Sequence, residues 1–419
     1  MKSSNKRYAE KVFLVALVLY VLVLPVSGTA ALRSLAFALL IGVTGWQVMT
    51  RSLRLDFPLL WPWAAYLSVA LVSLLYAVDL GYSLSEIRVE IIYAYTLFVI
   101  AASWFRREDQ LVRLVWIVVC GNLLFVAGSA WTALRSWKTQ VGELNIGTWD
   151  AGIGATATLV ATVLPWIVVL VVRTIEERRY RVTVFLVGLF LANLGALVLT
   201  LNRQGWVALT VSFTVAAALA GRSFWTRRRV LVASATAALF LAVFASQFQL
   251  RSAGGVGLSA TAADASMEAV KHDPRWPIWR FTLERIEDRP WSGGGFGRAA
   301  FKKLFPEYYR THPPFWHAHN MVLNKGIQMG IPGMLAFLGL WIALTAMCAN
   351  GLQISSIRTW TIAVLAMIAG IFVRNMVDDF FIRDHALLFW LLCGAYLGVL
   401  RQVTQTSDRP GGSFAASAA

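Results

Sequence analysis

The residues best suited to chemistry lie in one stretch, Trp316 to Gly333 (WHAHNMVLNKGIQMGIPG), where aromatics and histidines give way to an apolar run. His319 and Asn320 stand at the lip of that run, so a side chain that titrates near neutral pH is mounted at a helix end. Gly326, Gly330 and Gly333 follow at spacings of four and three. Those spacings share one helix face and predict close approach by a neighbouring helix. His312, His317 and His319 are irregularly spaced, with stiff prolines after the first and no carboxylate interleaved, which argues against a metal site. A plainer reading of His319, as a helix-terminal residue bonded to backbone, stands beside the catalytic one. His317 and Asn320 are its polar company.

Charged groups elsewhere suggest what such an imidazole would meet. Arg203 sits in a very short turn, Leu201-Asn-Arg-Gln-Gly205, with little loop to carry it into water. An arginine there is costly unless an anion or a row of carbonyls answers it. Arg275, Arg280, Arg285, Arg289 and Arg298 lie further on, and Arg275 and Arg280 flank Trp276 and Trp279, which would hold them near a surface. Several guanidinium groups facing one volume point to a phosphorylated ligand, because the planar fork matches phosphate oxygens and stays charged. The glycine run 293–297 could add backbone N–H groups to the same oxyanions, or be a tight turn only. Asp378-Asp379 is the other polar cluster, and its simplest reading is an ion pair with Arg374, Arg383 or Arg203.

The elements that would position these groups are apolar helices. The chain of 419 residues is 58% hydrophobic and 14% charged, and apolar runs of membrane-spanning length recur throughout. The runs are apolar on every face, which excludes a strand barrel. The expected fold is an all-α polytopic membrane protein of about twelve transmembrane helices, near 10–27, 31–49, 57–77, 89–105, 111–134, 152–172, 182–201, 205–221, 230–248, 321–347, 357–376 and 385–400. Residues 1–30 read as a retained first helix rather than a cleaved leader. Cys120, Cys348 and Cys393 all lie in apolar runs, which argues against a disulfide framework.

With both termini in the cytoplasm, twenty of the 38 Lys and Arg residues fall in inner segments, as the positive-inside bias requires. The long segment 249–318 is then external. Trp276 to Asp288 has helical spacing of Ile278, Phe281, Leu283 and Ile286, and a second short helix is expected over 299–309. The chain accordingly divides into helices 1–9 (1–248), an external catalytic loop (249–320), helices 10–12 (321–400) and a disordered cytoplasmic tail (401–419). Topology and this loop account for much of the net charge of +16, so no nucleic-acid or protein partner is inferred. No P-loop or dinucleotide fingerprint is present, and the inner loops are too short for a nucleotide-driven domain. The energy for any external reaction must then arrive in the substrate.

His319-Asn320, nine residues, then Gly330-Ile-Pro-Gly333 resembles the H-[NSQ]-x9-G-x-x-G signature of bacterial O-antigen ligases. Leu199 to Trp206 is similar to that family's short external Thr-x-Ser-Arg segment, with Asn202 in place of the serine. Arg275-x-x-x-Trp279, Asp288-Arg-Pro290 and Gly293 to Gly297 resemble its loop pattern. The likeness covers roughly 190–400. It implies a GT-C-like glycosyltransferase of the bacterial inner membrane, acting on the periplasmic side without metal or cofactor. The donor would be a glycan on undecaprenyl pyrophosphate and the acceptor lipid A–core. The resemblance makes His319 the base and Arg203 and Arg275, with Arg280 second, the ligands of the diphosphate; Asn320, His317, Asp378 and Asp379 would support them. O-antigen polymerases and protein O-oligosaccharyltransferases share the donor and remain alternatives. So does a transporter or flippase of an anionic lipid-linked glycan, which buried charge in mid-helix would favour.

Overall fold

The computed structural model describes residues 2–24, 26, 28–136, 152–200, 202–221, 273, 275–313, 315–381 and 383–407. Among these, every regular element is helical. The first half comprises α1 (Lys2–Val23), α2 (Ala30–Met49), α3 (Leu60–Val72), α4 (Leu80–Ile87), α5 (Ala94–Trp104), α6 (Glu108–Ser136), α7 (Gly152–Glu176), α8 (Tyr180–Leu199) and α9 (Arg203–Ala220). The second comprises α10 (Arg275–Asp288), α11 (Ala300–Leu304), α12 (Pro306–Thr311), α13 (Met321–Ala349), α14 (Arg358–Met376) and α15 (Arg383–Ser407).

Eleven of the expected spans coincide with helices; the remaining one, 230–248, lies outside the described residues, as does the stretch up to 272. Among the described residues, eight helices are long and apolar enough to cross a membrane, and Leu60–Tyr76 is a shorter apolar helix. Two boundaries differ from the sequence reading. The fourth span begins at Leu80, because the π-helical turn Arg88–Tyr93 joins α4 to α5 without a break. The last helix runs to Ser407, beyond the expected end at 400. The short helix expected over 299–309 is two, α11 and α12, divided at Phe305, where Pro306 opens the second.

Close packing is made by glycines that the sequence reading passed over. On α15, Gly394 and Gly398 form a Gly-xxx-Gly face against α5, and a Cβ at either would lie 2.3–2.4 Å from the carbonyl oxygens of Phe98, Ala102 or Phe105. Gly370 of α14 does the same for α9, where a Cβ would come within 2.0 Å of Ser212 Oγ. Small residues at such crossings let backbones approach where hydrophobic burial gives little drive between helices in lipid.

The glycines of α13 serve a different neighbour from the one expected. Gly330 is left-handed (φ 69°) and breaks the helix, and Pro332 removes the donor that Gln328 O would otherwise receive. The exposed carbonyls of Ile327 and Gln328 accept from Gly294 N (2.9 Å) and Gly295 N (3.1 Å), while Ile331 N donates to Pro290 O (2.8 Å). The loop that precedes α13 is thus stitched into the break. Two N–H groups of the glycine run are committed here, which corrects their suggested role in oxyanion binding. Gly326 makes room for Ile286 of α10 rather than for a membrane helix. Ile278, Ile286, Phe301 and Ile327 form a small core of their own beneath Phe281, Phe305 and Tyr308. Each such buried side chain contributes about 1.5–3 kcal/mol relative to exposure, enough to seat the loop firmly on α13.

Candidate functional site

The site begins with the start of α13. Asn320 is its N-cap: extended backbone (φ −157°) lets Oδ1 accept from Val322 N (2.9 Å) and Leu323 N (3.0 Å). The same amide donates through Nδ2 to Met376 O at the end of α14 (2.7 Å). A cap is worth about 1 kcal/mol; this one also fixes the distance between two helix ends. His319 precedes it with φ 48°, a left-handed conformation that costs about 1–2 kcal/mol for a residue with a Cβ. The strain turns the imidazole toward the 377–381 segment. There Nδ1 lies 3.0 Å from Oδ1 of Asp378.

Asp378 is buried, and burial alone would oppose its ionisation. The hydrogen bond from His319 outweighs that, helped by the positive charge of Arg374, and holds the carboxyl well below the usual carboxylate range. An ionised Asp378 can only accept. Nδ1 of His319 must therefore carry the proton, and Nε2 is the ring atom with the lone pair. Asp379 N also donates to Asp378 Oδ1 (2.9 Å).

His317 completes the corner. Its ring stacks on that of His319, with centroids 4.0 Å apart, and its Nδ1 accepts the backbone N–H of His319 (3.0 Å). That bond places the proton of the neutral ring on Nε2, 4.0 Å from Asp378 Oδ1. Burial, then the neighbouring His319 and Arg298, pushes its pKa well below the ordinary histidine value despite Asp378. His317 is a neutral spacer, not a second acid.

Asp379 turns the other way. Its Oδ2 accepts from Asn324 Nδ2 (2.6 Å), Asn324 Oδ1 accepts from Ala318 N (2.8 Å), and its backbone carbonyl accepts from Arg298. The simple ion-pair reading of Asp378-Asp379 is corrected by these bonds: one acid orients an imidazole, and the other ties α13 to the loop.

The arginines separate. Arg203 opens α9 behind its cap Asn202, whose Oδ1 accepts from Gly205 N (3.0 Å), and the next residue, Gln204, donates to Val377 O (3.3 Å), beside Asp378. Arg275 heads α10, half-buried and paired with Asp273 (3.1 Å). Arg280 is elsewhere, its side chain 85% exposed and bonded to Glu284 on its own helix (3.1 Å). The structure does not bring Arg280 to the corner. His312 is likewise outside, exposed and stacked on Tyr308. Arg298, one of the five loop arginines, lies over the Trp316 ring at 4.8 Å and reaches Asp379.

Charge is also buried where none was expected. Lys325 is inside α13 and pairs with Glu90 of the π-turn at 3.1 Å, with side chains 6% and 8% exposed. Aromatic Phe296 lies 4.5 Å from Nζ, and the pair floors a pocket lined also by Tyr66, Asp379 and Trp390. An ionisable residue in an apolar run was the available signal for Lys325 and Glu90.

His317, His319 and Asp378 each offer one ligand atom within 4.8 Å of the others, a set that could bridge a metal ion. As it stands, the set is joined by hydrogen bonds and faces two guanidinium groups.

Residues 185–338 match a family model described as O-antigen ligase. The matched stretch contains Arg203, Arg275, Arg280, His317, His319 and Asn320, and stops short of Asp378 and Asp379. No curated protein matches the chain.

Proposed function

We propose that this chain is an O-antigen ligase, a reading supported by the match of residues 185–338 to the O-antigen ligase family model and by the apolar helices of membrane-spanning length. It transfers a polysaccharide from undecaprenyl pyrophosphate to lipid A–core. The observation that carries the reading is the 3.0 Å contact between His319 and Asp378 within a half-buried corner. An oriented imidazole with its lone pair on Nε2 is a general base. It takes the proton of an acceptor hydroxyl as that oxygen attacks the anomeric carbon of the donor glycan. The bond from that carbon to the diphosphate breaks with its electron pair, and the lipid diphosphate leaves as an anion. Asp378 stabilises the imidazolium that forms. Arg203 and Arg275 answer the charge on the leaving group, as preorganised donors do where charge develops. One displacement inverts the anomeric centre.

The diphosphate carries its own driving force, so the reaction requires no nucleotide and, in this proposal, no metal. The corner faces the periplasm of the inner membrane, with both termini cytoplasmic, in keeping with the inner positive charge. Incubating purified protein with a lipid-pyrophosphate glycan and either lipid A–core or a serine-containing peptide tests the acceptor. Glycosylated core supports the ligase; a labelled peptide, or a lengthened lipid-linked glycan, assigns the oligosaccharyltransferase or polymerase activity instead. The transporter reading draws on the buried Lys325–Glu90 pair, and movement of the donor across vesicles without any glycosidic product would favour it.

A further inference from the structure

Arg374 lies in the last turn of α14, one turn before Asp378, and has no exposed surface. Its Nη2 donates to Gly154 O of α7 at 3.1 Å. Nε and Nη1 are buried and have no hydrogen-bond acceptor among the described residues. A guanidinium is permanently charged and carries five N–H donors, and buried polar groups in native proteins are nearly always satisfied. A dry arginine with two unanswered nitrogens is therefore an incomplete arrangement.

The nearby acids do not complete it. Asp378 is engaged by His319 and by the backbone of Asp379, and Asp379 by Asn324. The sequence reading named Arg374 as an ion-pair partner of this cluster, yet neither carboxylate accepts a hydrogen bond from it. A second guanidinium, Arg275 of α10, is near enough for the two positive charges to act on each other. Two like charges drawn from separate parts of the chain, one of them sealed and under-bonded, are stable together when an anion lies between them. Phe380 covers the spot: its ring is 4.9 Å from the guanidinium carbon and only partly buried. Gly154 gives that ring its room, since a Cβ there would come within 2.2 Å of it.

We propose that Arg374 is an oxyanion-binding residue of the site, taking phosphoryl oxygens on Nε and Nη1 opposite Arg275, with Phe380 as the movable cover. The assignment rests on the diphosphate-donor reading above and adds a buried cation to it. It puts the diphosphate against the end of α14, beside the acid that orients His319. The leaving group and the base would then be held by the same short segment, 377–381.

The test uses the full chain in phosphatidylcholine nanodiscs, with farnesyl pyrophosphate as probe and phosphatidylglycerol as the competing source of phosphate. Farnesyl pyrophosphate should raise the melting temperature of the wild type and slow hydrogen exchange across 376–381. Arg374→Gln should weaken its binding by about tenfold or more, as loss of a charge-assisted contact does, and Arg374→Lys should fall between. Arg310→Gln, on the exposed helix α12, should bind as the wild type does. If Arg374→Gln binds within about twofold of wild type, or exchange across 376–381 ignores the probe, the assignment is wrong while the diphosphate reading survives through Arg203 and Arg275. Should both Arg374 variants fail to fold, the exchange measurement on the wild type decides alone. A wild type that does not bind farnesyl pyrophosphate at all removes both. Stabilisation by phosphatidylglycerol that Arg374→Gln abolishes keeps the oxyanion site and gives it a lipid headgroup instead.

Discussion

His319–Asp378 and Lys325–Glu90 are both acid–base pairs carried by the first turns of α13, and they are built for opposite ends. The first sits at the lip of the helix, with side chains 17% and 12% exposed, and joins an imidazole to a carboxylate held ionised. The second is sealed among Tyr66, Phe296 and Phe337, and both partners are tied by the bond between them. A proton can be exchanged at the first pair. At the second, removing one charge strands the other in an apolar surrounding. Proximity to the site does not distinguish them; the greater exposure of the first pair does.

The comparison breaks most visibly at His319. His319→Ala should lower transfer by about two to four decades while leaving donor lipid bound, as general-base losses do. Turnover and donor binding measured on the same preparation check this, and near-normal transfer would return His319 to a packing role. Next in size is the sealed pair. Lys325→Met alone should cost about 3–5 kcal/mol of stability, and joint replacement of Lys325 and Glu90 by apolar residues should recover most of it. Thermal melting in nanodiscs reads the effect; a single variant as stable as wild type would mean that the pair is not a clamp.

Arg203→Lys keeps the charge and loses the fork, so donor affinity and turnover should each fall by about tenfold. Equal donor binding in Arg203→Ala would leave the diphosphate to the remaining arginines. The smallest effect concerns His317. Its folded pKa is depressed, so between that value and about 6.5 the unfolded ring binds a proton that the folded ring refuses. Stability from this group is complete above about pH 6.5 and declines as pH falls, by at most about 1.4 kcal/mol per pH unit. His317→Asn should flatten the melting-temperature slope between pH 7 and pH 5; an unchanged slope assigns it to other groups. Chelation with EDTA should leave transfer unaltered at every pH tested, and loss restored by Mg²⁺ would make the His317–His319–Asp378 set a metal site.

The sequence made His319 legible because the cue is local: an imidazole followed by an N-cap asparagine and an apolar run. Arg203 drew notice for a related reason, as a charge in a turn too short to carry it into water. Arg280 misled because helical spacing puts charge near a surface without saying which face turns toward the site. Asp378 was visible only as one of two adjacent acids, and nothing in Asp-Asp says that one faces an imidazole and the other an asparagine. Arg298 was one of five loop arginines and Arg374 one of three candidate partners for Asp378-Asp379, and only their neighbours tell them from the rest.

Composition and periodicity by themselves determined an all-helical membrane chain, most of its helix positions and the one imidazole at a helix lip. These follow from backbone satisfaction in lipid and from capping, which act within a few residues. Only the tertiary structure decided what the glycines are for, which acid meets His319, and that Lys325 and Glu90 share a sealed pocket. Those outcomes depend on segments brought together from distant parts of the chain. The break at Gly330 is the clearest instance: its open carbonyls are answered by Gly294 and Gly295 of the loop, and that bonding exists only once the loop has folded onto α13.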